Sequence, residues 1–544
     1  MANIMSLKSL RNKTSRNGFD LSSKRNFTAK CGELLPVKTW EVLPGDSWSI
    51  DLRAFTRTQP LNTAAFARMR EYYDFYFVPY DLLWNKANTV LTQMYDNPQH
   101  ATGLVPAYDS LSGEMPYVTC EQIADYLSSF PSTSSESYVK NFFGYNRGLL
   151  SAKLLEYLGY GNFSLYTSGT SWSDDPLTAN LQLNIFGLLA YQKIYSDFHR
   201  ESQWEKCSPS CFNVDYMDGV NSMNVSGITD SAFIKDYNMF DLRYCNWQKD
   251  LFHGVLPRQQ YGNVASVAVS GTATGTPLSV DANFSILALR QAEFLQKWKE
   301  IALSGNKDYK EQIEKHWNVS PGDGFSEMCT YLGGVDSSLD INEVVNNNIT
   351  GENAADIAGK GTGVSNGRIS FNSQGRYGLI MCIYHCLPLI DYTCDITSPI
   401  YTKVHAADYA IPEFDRVGME SIPLVRLVNT SSNIFPYDYH LLGYAPRYID
   451  YKTDVDTSVG AFKTSLKNWI ISYDNDSVLG QITSVTGSGS SVLSTYTSFK
   501  VNPNSVNPLF AVEVNDKVDT DNFLCTSFFD VKVVRNLDTD GLPY

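Results

Sequence analysis

The chain has 544 residues, 43% of them hydrophobic and 19% charged, with a formal net charge of −15. This composition supplies a large core and excludes a disordered or collagen-like chain. The acidic balance excludes a uniformly basic nucleic-acid binder, yet residues 1–30 carry Lys8, Arg11, Lys13, Arg16, Lys24, Arg25 and Lys30 against Asp20 alone, the pattern of a basic arm on an acidic body.

Length alone suggests roughly three or four domains of ordinary size, although one β-domain with large insertions also reaches it. The 34 Tyr and 28 Phe lean toward strands and contact surfaces. No stretch has the roughly 18 apolar residues of a membrane span; the longest candidate, LIMCIYHCLPLI (379–390), contains His385. The N-terminus lacks the apolar core of a secretory signal and bears only a weak likeness to an organelle transit peptide. Ten irregularly spaced cysteines read as reduced thiols, not a disulfide framework.

In chain order, residues 1–30 read as a flexible arm with isolated Phe19 and Phe27. LLPVKTWEVLPGDSWSIDLRAFTR (34–57) reads as two strands joined at Pro44, Gly45 and Asp46, which supply turn chemistry. MREYYDFYFVPYDLLW (69–84) alternates with period two, placing Tyr73, Phe75 and Phe77 on one face. Between 85 and 240 short helical patterns alternate with loops. GLLSAKLLEYLGYG (148–161) is a helix ending at Gly159, 167–180 is a loop, and 183–200 is a less regular helix. SILALRQAEFLQKWKEIALSG (285–305) is the clearest helix, with Leu287, Phe294, Leu295, Trp298, Ile301 and Ala302 on one face. A second helix follows at 307–318. Residues 346–375 read as a long loop and 484–498 as a flexible one. Strand character returns at 375–392, 440–453 and 527–536. Strands at both ends with helices and loops between them describe a β-domain with insertions, not alternating βαβ units.

Catalytic and metal signatures are thin. GKGTGVSNG (359–367) fits neither a P-loop nor a dinucleotide fingerprint and reads as a flexible loop. CIYHC (382–386) puts Cys382 and Cys386 on one strand face and His385 on the other, which suits a buried strand better than tetrahedral zinc. CSPSC (207–211) has no second pair. Asp454–Asp456 and Asp474–Asp476 lack an EF-hand pattern and read as solvated surface. No GxSxG or HExxH occurs. No catalytic residue, metal or cofactor is assigned. The basic arm, Lys8, Arg11, Lys13, Arg16, Lys24 and Arg25 above all, is the one feature suited to phosphate contact, with Phe19 and Phe27 placed to stack on unpaired bases. A solvated terminus explains the same residues equally well.

The stretch LPVKTWEVLPGDSWSIDLRAFTRTQPLNTAAFARMREYYDFYFVPYDLLW (35–84) resembles the N-terminal part of the major capsid proteins of the Microviridae, and most closely the gokushovirus-like branch. RYCNWQKDLFHGVLP (243–257), LRQAEFLQKWKEIALSGNKDYKEQIEKHWNVSPGD (289–323), EMCTYLGG (327–334), GKGTG (359–363) into FNSQGRYGLIMCIYHCLPLIDYTCDI (371–396), and LLGYAPRYIDYKTDVD (441–456) are similar to later blocks in the family's order. Residues 85–240 and 457–544 match weakly. The insertion that builds a surface protrusion in gokushoviruses is short here, at about 258–284.

The resemblance implies a mainly β fold, an eight-stranded antiparallel jelly roll with long helix- and loop-containing insertions. Residues 31–544 would form that single domain, with insertions at about 85–240 and 258–375 and a C-terminal extension at about 457–544. It implies a non-enzymatic capsid protein of the virion, assembled in the host bacterial cytoplasm as pentamers and sixty-copy T=1 shells around single-stranded circular DNA. Implied partners are other copies of the chain, the genome, a small basic packaging protein, pilot, spike or scaffolding proteins, and a bacterial surface receptor. Sixty arms supply roughly 360 positive charges, whereas coding this chain alone takes about 1,600 nucleotides, so further counter-charge is expected. The rival class is a β-rich carbohydrate-binding or hydrolytic protein with aromatic-lined loops.

Overall fold

The computed structural model describes residues 15–92, 115–128, 143–164, 181–205, 207–217, 238–257, 286–303, 308–345, 357–373, 375–394, 396–415, 418–427, 441–477, 499–513, 515 and 518–539. Nine of the described strands join one curled antiparallel sheet: β1 (Asn17–Asp20), β2 (Ser23–Ala29), β3 (Leu35–Val42), β4 (Ser47–Thr58), β5 (Arg68–Pro79), β6 (Thr330–Val345), β7 (Ile357–Asn372), β8 (Gly378–Leu389) and β9 (Phe523–Arg535). The spatial order is β1-β9-β4-β7-β6-β5-β8-β3, with β2 also paired to β9. The expected mainly β architecture is the one found.

Period-two patterning explains why these segments are strands. In β4 Trp48, Ile50, Leu52 and Ala54 point inward; in β9 Phe523, Cys525, Phe529, Val531 and Val533 do the same. The long strands β6 and β7 let the sheet turn over on itself. The N-terminal half of β6 pairs with β5 and its C-terminal half with β7. The two sheet halves then face each other through rings: Trp40 meets Phe529 edge-on at 5.3 Å, and Phe77 lies 4.6 Å from Phe371. Aromatic contacts of this kind add to the burial of apolar area that drives the packing.

Helices α1 (Arg147–Leu158) and α2 (Phe186–Ile194) cover one end of this sandwich. Asn146 caps α1 by accepting from the Leu149 amide, and Gly159 closes it at φ 92°, a left-handed turn that favours glycine. The Tyr191 hydroxyl donates to the Leu34 carbonyl and accepts from the Arg243 amide, while Arg147 and Asp241 form a buried bidentate pair at 2.6 and 2.7 Å. These bonds pin the segment around 238–245 between the helices and β3.

Three expectations are corrected. The flexible arm does not extend to residue 30: β1 and β2 pair with β9, and Phe27 is buried against Tyr384 at 5.1 Å. The strand pattern is faint because the outward positions of β2 are Lys24, Asn26 and Thr28 while its inward apolar residues number only two, Phe27 and Ala29. The loop assigned to 346–375, with its glycine-rich GKGTGVSNG, contains β7. There the inward positions are Gly359, Gly361, Gly363, Ser365, Gly367 and Ile369, and the space beside them is already filled. A Cβ on Gly359 would lie 2.3 Å from the Thr63 carbonyl oxygen, and one on Gly367 2.3 Å from Val335. Close approach of neighbouring chain, not loop flexibility, explains these glycines. Consequently 258–375 is not wholly an insertion, and 457–544 is not merely an extension, because β9 lies between β1 and β4.

Candidate nucleic-acid interface and contact surfaces

The structure does not gather the six predicted basic residues into one cluster. Lys8, Arg11 and Lys13 lie outside the described residues. Arg16 is exposed at the turn between β3 and β4, donating to the Gly45 carbonyl at 2.6 Å and to Ser47 Oγ at 3.2 Å. Arg25 turns toward the body: it donates to the Tyr157 carbonyl at 2.8 Å, with its guanidinium 5.9 Å from the Tyr157 ring centroid. Burial, and then the charge of Arg25, hold Lys38 below the usual lysine range. Lys24 faces outward and sits opposite Phe528 of β9. Phe27 is buried and Phe19 packs on the core, so neither ring is placed to stack on bases.

Lys30, counted in the arm, belongs to a buried charge cluster. Its Nζ lies 3.0 Å from Asp521 Oδ1, and Lys153 of α1 lies 3.1 Å from Asp521 Oδ2 and 2.6 Å from Glu33 Oε2. Thr28 Oγ1 donates to Asp521 at 2.6 Å. Burial would raise Asp521, but Lys153 and Lys30 outweigh it and hold the carboxyl below its usual range. Burial likewise depresses Lys153, and Glu33 and Asp521 reverse that, leaving it above the usual lysine range. The cluster ties the N-terminal strands to α1 and to the segment that enters β9. Isolated lysines and carboxylates spread from residue 30 to residue 521 give no sequence signal for this.

The CIYHC segment is the central part of β8, with Cys382, His385 and Cys386 all buried. Burial holds His385 near 4, and its ring stacks on Tyr72 at 4.9 Å. Among the described residues no group of three or more His, Cys, Asp or Glu is arranged to hold a metal. Asp456 pairs with Arg68 at 2.7 Å, and Asp474 pairs with Lys467 at 2.9 Å.

Among the described residues, large apolar side chains are exposed at several places, two of which are a helical hairpin and the segment around Ile400. Helices α3 (Ile286–Leu303) and α4 (Tyr309–Trp317) form a hairpin. The helical face anticipated in α3 exists, but it points to solvent: Phe294, Leu295 and Trp298 are each more than half exposed, as is Trp317 at 73%. The Trp298 ring stacks on His316 at 5.7 Å. The second place is around Ile400, Tyr401 and Val404. Surfaces of this kind on a chain with an ample core mark contact sites.

Known proteins similar to this chain are the following. Residues 8–147 match the family described as Capsid protein (F protein). The chain is 20% identical over 499 residues to Capsid protein VP1 of Bdellovibrio phage phiMH2K, covering 83% of each. It is 21% identical over 535 residues to Capsid protein VP1 of Chlamydia phage 1, covering 84% of this chain and 86% of that one. The chain is thus similar to Microviridae capsid proteins, which is a resemblance in sequence over most of its length. Both alignments run over more than four-fifths of the chain. Among the described residues, no helix is long and apolar enough to cross a membrane.

Proposed function

We propose that this chain is the major structural subunit of a phage virion, assembling with copies of itself into pentamers and a sixty-copy T=1 shell around single-stranded circular DNA. The observation that carries this reading is the similarity to two capsid proteins over more than four-fifths of the chain. The exposed hairpin of α3 and α4 supports it, because a lone monomer leaves those rings in water at a cost that burial between subunits removes. Some outer loops face the bacterial surface, and a small basic protein and scaffolding proteins complete assembly. The work is structural, not catalytic.

Light scattering on the purified chain tests the reading. Species near five or sixty times 60.9 kDa are expected, with scaffold and packaging proteins added if the chain alone is monomeric. A monomer under every such condition overturns it. Replacing both Trp298 and Trp317 by serine is expected to lower the yield of closed particles at least thirtyfold, because a buried aromatic anchor typically carries about 2 kcal/mol or more of contact energy. The monomer's thermal unfolding midpoint should stay unchanged, as both rings are exposed in it.

A further inference from the structure

The outward face of the β2–β9–β4–β7 quartet combines cations with outward-facing rings in register. Opposite one another across the strands stand Lys24, Phe528, Arg53 and Asn366. The next row, about 6.7 Å along the strands, is Asn26, Thr526, Phe55 and Val364. The row beyond it is Thr28, Leu524, Arg57 and Thr362. On the other side of the first row, Asp530 and Asp51 lead to Arg368.

Two features set this face apart. The first is its apolar content: Phe528, Leu524 and Val364 are exposed at the outward positions of a sheet whose inner face already holds the core. The second is its charge. Lys24, Arg53, Arg57 and Arg368 converge on it in a chain whose net charge is −15. The facing acids are few and engaged: Asp51 lies 3.8 Å from Arg53, and Asp530 is 3.3 Å from Lys532. The Arg57 guanidinium lies 5.2 Å from the Phe55 ring centroid, and Arg368 Nε donates to Ser49 Oγ at 3.1 Å. By contrast, Arg68 and Arg70 on β5 are matched to Asp456 and Asp336 at 2.7 and 2.6 Å.

We propose that this sheet face binds single-stranded nucleic acid, with Lys24, Arg53, Arg57 and Arg368 taking phosphates and Phe55 and Phe528 taking unpaired bases. Charge complementarity selects a polyanion, and the rings select a single strand, because a duplex keeps its base faces stacked inside. Asn26, Thr526, Asn366 and Thr362 provide neutral hydrogen-bonding groups between the cations. The inference deepens the shell reading by naming the surface that would meet the enclosed strand, and it rests on that reading for the source of the nucleic acid.

The test is fluorescence anisotropy of the full chain with a labelled twenty-nucleotide oligothymidylate over a range of salt concentrations. The expected result is salt-dependent binding. In the triple variant Arg53→Gln, Arg57→Gln, Arg368→Gln, the log–log salt slope should fall by about 2 in magnitude, near 0.7 for each phosphate no longer neutralised. The single variant Phe55→Ala should weaken binding by about fivefold or more at an unchanged slope, because stacking on a ring contributes roughly 1–3 kcal/mol per base. Arg70→Gln, on β5 two strands beyond β7, is the control and should change neither. Thermal unfolding verifies that each variant is folded; if the triple variant is not, the single Arg57→Gln variant should still lower the slope by about 0.7.

Unchanged affinity and slope in the arginine variants overturn the proposal, as does binding that vanishes only when residues 1–14 are deleted. Variants that alter self-association while leaving oligonucleotide binding intact assign the face to a second copy of the chain, which also overturns it. Light scattering on the same samples reads the shell hypothesis independently: particles that assemble without face-dependent binding sink this inference alone, and face-dependent binding by a chain that never assembles sinks the shell reading alone.

Discussion

Replacing Lys153 by methionine should destabilise the fold by about 3–5 kcal/mol, the usual cost of leaving a buried charge without its partner. Lys153 serves two carboxylates, Glu33 and Asp521, and its side chain is 2% exposed. Methionine preserves the stem but leaves Glu33 buried without its cation and Asp521 with Lys30 alone. A conservative arginine is too large for a site this enclosed and should rescue little. Urea unfolding followed by intrinsic fluorescence measures the loss; a variant as stable as the parent would show that the cluster adds nothing to the fold.

The same cluster sets a pH window. Asp521 is held below its ordinary value, so its contribution is full above the unfolded carboxylate value near 3.8 and is lost as the pH falls through the lower folded value. Lys153 is held above its ordinary value, so its contribution is full below the unfolded lysine value near 10.5 and is lost as the pH rises through the higher folded value. Between those limits these two groups leave stability flat. Lys153→Met should remove the alkaline loss and weaken the acid one, which a thermal midpoint series from pH 3 to pH 11 would detect.

Gly359→Ala should be the most damaging of the small substitutions. The added Cβ meets the Thr63 carbonyl oxygen at 2.3 Å and Leu61 at 3.2 Å. A backbone oxygen cannot rotate away, so β7 or the segment after β4 has to shift. Overpacking of this kind costs about 1–3 kcal/mol, and more where backbone is the obstacle. Gly18→Ala in β1, where nothing lies within 4 Å, provides the control and should stay within about 0.5 kcal/mol of the parent. Equal effects from the two variants would mean that strand propensity, not packing, governs both sites.

These glycines also show where reading by residue type breaks down. A strand is legible when its inward positions are apolar, as Trp48, Ile50, Leu52 and Ala54 are in β4 and Phe529, Val531 and Val533 are in β9. In β7 the inward positions are mostly glycine because neighbouring chain comes too close for side chains, so the segment has the composition of a loop. The N-terminal strands are obscured for a related reason. Lys24, Arg25 and Asn26 look solvated, yet the strand they belong to is held by pairing with Phe528, Ser527 and Thr526 at the far end of the chain. Helices are easier to read where their ends are signalled locally, as Gly159 does for α1. In α3 the apolar face is readable but its destination is not, since periodicity says that a face exists and not what covers it.

The sequence by itself determined the β-rich class, the main strands flanking the chain, the helical hairpin and the family resemblance, all of which rest on local periodicity or on ordered blocks of residues. Tertiary structure alone decided that Lys24, Arg53, Arg368 and Phe528 share one surface, that Lys30 is buried with Asp521 rather than free, and that β9 lies between β1 and β4. The physical reason is register. A strand's own residues fix which face each side chain takes, but only pairing with distant strands fixes which residues become neighbours across that face.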